Sequence, residues 1–447
     1  MLWRSRRLIT LIKSLAVLAV LLLGSVVGSI PAYSGIAASS ADVVSLEQYM
    51  KMIREGNHEL LSAARSVEAA YYAARASVAP QRPTGSLSAS ASYVTDQQTN
   101  DSHNRNALIY STSAALSQRF DISGKYGLDE RQQILYYETR RADFDAAVNS
   151  LLAAAEGSYW SAVLARENVE LQRDVLRQRR ENHRVTEEKY NRQLVPRLDI
   201  VRSDAQVVAA ESLVTEAEAL YNNLLYVMFV LTGGRPVVPA APLVIPTLGG
   251  VTNAEDGLER ALRCRPDVRS AKLALERSEV VAKLAAKGLT PTLTGTIQWT
   301  PWSDPYNAAT PQKNQLGANL TINIPVFDGG AARYNKRSTA ALAEAADETL
   351  RAVLTKTAAD LATAFNDWQK ASVLEQDKKR QIERSDEELR ITELMYNEGI
   401  GAQIDLINAQ TDNQQVRTDY LVAVKDMYAA LVSIRMAMGD YAPEEPQ

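Results

Sequence analysis

Few residues in this 447-residue chain have the type and spacing that chemistry demands. The single cysteine, Cys264, has no partner for a disulfide framework and reads as a buried spectator. His58, His103 and His183 stand too far apart to set out a metal site, so solvated surface is their simplest reading. No nucleophile elbow, phosphate-cradling glycine loop or convincing carboxylate pair is present, which leaves an enzyme without a reaction centre and gives no cofactor a place to bind. A net charge of −4 and no dense Lys/Arg patch also argue against a nucleic-acid partner.

Two short segments built alike remain. Gln193 to Asp199 carries Leu194, Val195, Pro196 and Arg197 ahead of an acid; Glu398 to Asp405 carries Gly399, Ile400, Gly401 and Ala402 ahead of another. The glycines end a helix and permit positive φ, and Pro196 suits a helix start. Asp199 and Asp405 fall where a carboxylate meets the positive end of the following helix. The residue types therefore specify turns between helices.

Those helices are of unusual length. Lys125 to Gln193 has no proline and two interior glycines, while Ala331 to Glu398 has neither residue. At 1.5 Å per residue each can reach about 100 Å, far beyond an ordinary domain. Behind each turn a shorter helix repeats apolar residues at spacings of four and three: Leu213, Ala217, Leu220, Leu224, Val227, Leu231, then Tyr420, Val424, Met427, Leu431, Ile434, Met438. These are coiled-coil seams. Alanine supplies much of the 46% hydrophobic content, since aromatics make up only 6%, and alanine lets helix backbones approach closely.

The chain is duplicated. Tyr190-Asn191 recurs as Tyr396-Asn397, Asp199 as Asp405, Tyr159 as Phe365, Gly124 as Gly330 and Gly233 as Gly439, always 206 positions apart. Upstream the register slips slightly, with Phe120-Asp121 matching Phe327-Asp328. Prolines 236, 239, 242 and 246 forbid a continuous helix between the copies. The expected organisation is a first repeat over 42–232, a Gly/Pro-rich linker over 233–257, a second repeat over 258–438 and a tail over 439–447.

Each repeat opens with a helical stretch, Ser45 to Ala79 in the first, and then alternates with period two. Strands are predicted over about 86–94, 107–120, 292–300 and 315–325, joined by polar loops. Their length, about 9 to 11 residues, suits a tilted strand crossing a bilayer, and one face of each is small or polar. Four strands cannot close a membrane barrel, so several copies must share one. In length, the two shorter helices of a repeat together equal its long one, so stacking them end to end beside it makes a wall of even height.

Arg4, Arg6, Arg7 and Lys13 precede an apolar run from Leu15 to Val27, followed by the small residues Ala37 to Ala41. This is the order of a secretory signal peptide, assigned to 1–41 with cleavage near Ala38 to Ala41; an uncleaved anchor is the alternative. Beyond it no stretch approaches the roughly 20 apolar residues of a membrane helix. Entry into a membrane therefore requires a barrel.

The sequence resembles the TolC-type outer-membrane efflux protein family. The resemblance is carried by Ser45-Leu46-Glu47-Gln48-Tyr49 with Gly56-Asn57-His58-Glu59-Leu60, by Pro325-Val326-Phe327-Asp328-Gly329-Gly330, and by Tyr396-Asn397-Glu398-Gly399-Ile400-Gly401 running into Asp405-Leu406-Ile407-Asn408-Ala409-Gln410. It implies a mainly α fold with a small β part: a long coiled-coil helical barrel in the periplasm and four membrane strands per protomer, contributed to a shared twelve-stranded barrel in a homotrimer. It also implies an outer-membrane exit channel working with a periplasmic adaptor (membrane fusion) protein and an inner-membrane pump of the RND, ABC or MFS type. Type I protein secretion uses the same channel architecture. A periplasmic coiled-coil scaffold is the rival without a membrane role, and it has no use for the strands.

By the same resemblance the two turns form the periplasmic tip, with Leu194, Val195, Arg197, Gly399, Ile400, Gly401 and Ala402 as adaptor contacts. Tyr396 pairs with Asp199 to hold a resting gate, and Asp405 and Asn408 ring its narrowest point. Gly401 stands where better-studied members carry a gate arginine, and Asn408 replaces a second acid, so a looser gate and a weaker cation filter are expected. Trp299, Trp302 and Tyr306 are candidates for an aromatic girdle at the lipid surface or for packing within a loop. Tyr159, Trp160, Phe365 and Trp368 read as packing between helices.

Overall fold

A computed structural model describes residues 41–96, 105–248, 254–302 and 313–442. The expected signal segment, apart from Ala41, and His103 and Tyr306 lie outside these residues. The first repeat comprises β1 (Asp42–Val44), α1 (Leu46–Gly56), α2 (His58–Ser77), β2 (Thr84–Asp96), β3 (Arg105–Phe120), α3 (Lys125–Asn191) and α4 (Arg197–Leu231). After β4 (Val237–Pro239) the second comprises α5 (Ala254–Cys264), α6 (Pro266–Ala285), β5 (Thr292–Trp302), β6 (Lys313–Asn323), α7 (Ala331–Asn397) and α8 (Gln403–Met438).

The opening helix predicted over Ser45 to Ala79 is two helices, not one. Ser45 starts α1 with a reciprocal capping box to Gln48. Asn57 then interrupts: its Oδ1 accepts from the amides of Glu59 (2.9 Å) and Leu60 (3.1 Å), capping α2. In the second repeat Pro266, which has no N–H, begins α6 after the same break. The linker also holds more order than its prolines suggest, because Val237–Pro239 pairs in parallel with Asp42–Val44. Cys264, expected inside, is exposed, because it ends α5 beside that break.

Chain direction reverses at the strands through matched elbows. Gly124 (φ 65°) and Gly330 (φ 89°) turn left-handed at the starts of α3 and α7. Neither glycine can cap with a side chain, so the preceding acids do it. Asp121 accepts from the amides of Lys125 (3.0 Å) and Tyr126 (3.1 Å), and Asp328 from Gly330 (2.9 Å) and Ala332 (2.6 Å).

α3 packs against α2 and α6 on the strand side and against α4 and α8 on the far side; α7 packs against α6 and α8. The short helices stack end to end at the equator. Asn57 Nδ2 donates to Leu231 O at 3.0 Å, joining the start of α2 to the end of α4. Glycine makes this joint close: a Cβ on Gly233 (φ 71°) would lie 2.2 Å from Gly56 O, and one on its repeat counterpart Gly439 (φ 81°) would lie 2.9 Å from Cys264 O.

The main core surrounds these joints. Tyr49, Ile53, Leu152, Tyr159, Val163 and Met228 are buried together, and Tyr159 donates to Val44 O at 3.1 Å, binding β1 to the helices. Phe365 and Trp368 flank Leu361 and Ile434 in a second cluster. Trp160 stacks on Tyr428 at 4.2 Å. Buried Glu156 receives Arg435 Nη1 (2.7 Å) and the Tyr441 hydroxyl (2.6 Å), which fastens the chain beyond α8 onto α3.

The strands form one antiparallel sheet in the order β2-β3-β5-β6. One face carries hydroxyls in register, with Ser88 against Ser113 and Ser90 against Ser111 (both 2.7 Å) and Ser117 against Thr296 (3.1 Å). The other carries Leu87, Leu116, Ile297, Trp299, Leu316 and Leu320; Leu87 is 80% exposed. Among the described residues β2 and β6 each leave one edge unpaired. β6 stops at Asn323, short of the predicted 325, since Pro325 has no amide to continue a ladder. Among the described residues no helix is long and apolar enough to cross a membrane.

Candidate functional site

The ends of α3, α4, α7 and α8 meet at the pole opposite the sheet, where the two repeats present the same turn twice. In the α3–α4 turn Gln193 adopts φ 59°, and in the α7–α8 turn its counterpart Gly399 adopts φ 77°. The next residue folds back in both: Leu194 N donates to Lys189 O (2.9 Å) and Ile400 N to Met395 O (3.0 Å). Each turn thereby thrusts one large aliphatic side chain into solvent, Leu194 at 69% and Ile400 at 74% exposure. Arg197 and Ala402 are exposed beside them, and Val195 is half-buried. Gly401 is held by proximity: a Cβ there would lie 3.1 Å from Met395 C and Tyr396 N.

Behind the turns lies a polar knot. Tyr396 is buried, its hydroxyl 3.2 Å from Thr186 Oγ1. Lys189 Nζ donates to Tyr396 O at 2.7 Å and sits 3.8 Å from the centre of its ring, a contact that joins a hydrogen bond to a cation–π attraction. Burial pushes the Lys189 ammonium below its ordinary pKa. Gln403 Nε2 donates to Asp199 O (2.9 Å) and Thr186 Oγ1 (3.4 Å), and His183 shares a hydrogen bond with buried Ser203 (2.9 Å). These contacts bind all four helix ends.

The expected pairing of Tyr396 with Asp199 takes a different form. The phenol meets Thr186, and Asp199 enters the knot through its backbone carbonyl. Its half-buried carboxylate has no hydrogen-bond or ion-pair partner among the described residues. Asp405 and Asn408, three apart, share an exposed face of α8. Thr186, Lys189 and Gln403 were not anticipated. For Thr186 a signal existed, because the polar residues Gln172, Arg179 and Thr186 recur every seven positions on α3.

The family described as outer membrane efflux protein matches residues 50–233 and, separately, 257–440. The chain belongs to that family. As an outer membrane efflux protein it is similar to nodulation protein T of Rhizobium leguminosarum bv. viciae, with 21% identity across 74% of this chain and 69% of that one. Its fold is that of solved outer-membrane channels. OprN superposes with a TM-score of 0.78 at 22% identity, covering 89% of this chain and 91% of that chain. The open-state MtrE channel of Neisseria gonorrhoeae gives 0.74 at 20% identity, covering 88% of each. CusC gives 0.78 at 16% identity, covering 89% and 93%. Family and fold are thus those of outer-membrane channels, and the mainly α architecture with a small four-stranded sheet agrees with the sequence reading.

Proposed function

We propose that three copies of this chain form an outer-membrane exit channel, with the sheets completing a twelve-stranded barrel and the helices a periplasmic tube. The observation that carries this reading is the sheet itself: two bare edges and one apolar face. In hydrocarbon every exposed backbone amide and carbonyl costs several kcal/mol, so both edges must find strands, and copies of the same chain are the nearest supply.

The tip is the gate and the docking point. Leu194 and Ile400, repeated by the duplication and by threefold symmetry, offer a periplasmic adaptor six aliphatic anchors, and the adaptor links the channel to an inner-membrane pump. Asp405, exposed on α8, brings three carboxylates together near the axis and favours cations there. Asp405→Ala should lose block by a trivalent cation in single-channel recordings; unchanged block removes Asp405 from the pore. Ile400→Glu tests docking. It is expected to abolish co-purification with the adaptor and efflux in cells while trimers persist, and retained export would refute the tip as the docking point.

A further inference from the structure

Toward the tip, contacts within each helical hairpin differ in kind from the contact between α3 and α8. α3 and α4 are bridged by the ion pairs Arg173–Glu218 and Arg180–Glu211 (both 2.7 Å), and α7 and α8 by Lys378–Asp419 and Arg417–Asp386 (both 2.8 Å). Between α3 and α8 the ion pair Arg435–Glu156 (2.7 Å) lies toward the equator; from Gln172 to the tip the residues α8 offers to α3 are neutral, in layers seven residues apart on α3. Gln414 Nε2 donates to Gln172 Oε1 (2.8 Å), Arg179 donates to Gln410 Oε1 (2.6 Å) and Thr411 Oγ1 (3.1 Å), and Gln403 reaches Thr186.

Arg179 is the anomaly in this ladder. It is 3% exposed and no carboxylate lies within ion-pair distance of it among the described residues. Burial lowers its pKa, yet a guanidinium keeps its proton in proteins, so a full positive charge is held dry by an amide and a hydroxyl. Such a charge forfeits its hydration, which two hydrogen bonds only partly restore. Parting the helices rehydrates it. Nearer the equator the same two hairpins meet through Leu164, Val424 and Tyr428, whose burial is lost when water enters. The hairpins are therefore fixed at the equator and nearly balanced between contact and hydration toward the tip.

We infer that Arg179 is a positioning residue of the gate, whose dry, carboxylate-free site sets the balance between closed and open tips. The inference rests on reading the tip as a gate. It predicts opposite effects from two changes in one layer. In Arg179→Met an apolar chain of similar length removes the hydration penalty of closure, so the open fraction in planar bilayers should fall about fivefold. In Gln410→Leu the guanidinium loses its nearest acceptor and closure strands it, so the open fraction should rise by about the same factor. Arg179→Lys, which keeps the charge, should stay near wild type.

A merely structural role would move both variants the same way, or would lower heat stability without changing gating; either result overturns the inference. Should a substituted trimer fail to assemble, Gln172→Cys with Gln414→Cys in a Cys264→Ser background locks the ladder after folding. Oxidation should close the channel and reduction reopen it, and a crosslinked trimer that conducts as before overturns the proposal. A wild-type trimer that carries no current under any condition would instead remove the channel reading beneath it.

Discussion

Tyr396 contributes to the tip in three ways: its ring lies under the Lys189 ammonium, its carbonyl accepts from the same group, and its hydroxyl meets Thr186. Tyr396→Phe removes only the last, a hydrogen bond worth about 1 kcal/mol. Thr186 keeps its bond to Asn182 O, so no buried hydroxyl is stranded. The expected result is a several-fold larger open fraction in bilayer recordings with unchanged trimer stability; an unaltered open fraction would detach the phenol from gating. The place of Tyr396, Asp199 and Asp405 at the helix turns was legible because the turn is duplicated. Thr186 was marked only by its seven-residue spacing from Gln172 and Arg179, and Lys189 and Gln403 were not marked at all, since their partners Tyr396 and Asp199 lie on other helices more than 200 positions away and no local pattern records that approach.

Among the elements, the long helices and alternating strands were legible because their periods are strong and uninterrupted. The breaks at Asn57 and Pro266 were hidden, because helix-compatible residues continue on both sides and only the equatorial stacking rewards an interruption. Gly233 is the clearest consequence of that stacking. Gly233→Ala drives a methyl into Gly56 O in a left-handed backbone, which should cost about 2–3 kcal/mol and show as lower heat stability of the assembled protein. The elbow before α3 makes a prediction in pH. Desolvation pushes the Asp121 carboxyl up, but hydrogen bonds from the amides of Lys125, Gly127, Ser123 and Tyr126 outweigh it and hold the pKa below the ordinary value. Its stabilisation is complete above the unfolded carboxyl pKa of about 3.9 and is lost as pH falls through the lower folded value. Asp121→Ala should therefore cost about 1 kcal/mol at neutral pH, and melting of variant and wild type should converge only in strong acid.

For the whole molecule, the open sheet and the two hairpins support the proposal that other copies finish what a single chain begins. Among the described residues, apolar side chains on one face of the sheet, Leu87 and Leu316 among them, have no covering element, and neither do the edges of β2 and β6. Three copies at four strands each supply the twelve strands of the proposed barrel. The most direct test is to extract the mature protein from outer membranes, determine its mass by native mass spectrometry, and record current after reconstitution. The account predicts a complex of three chains that conducts ions across a planar bilayer. Single chains that stay dispersed without detergent and carry no current would contradict it.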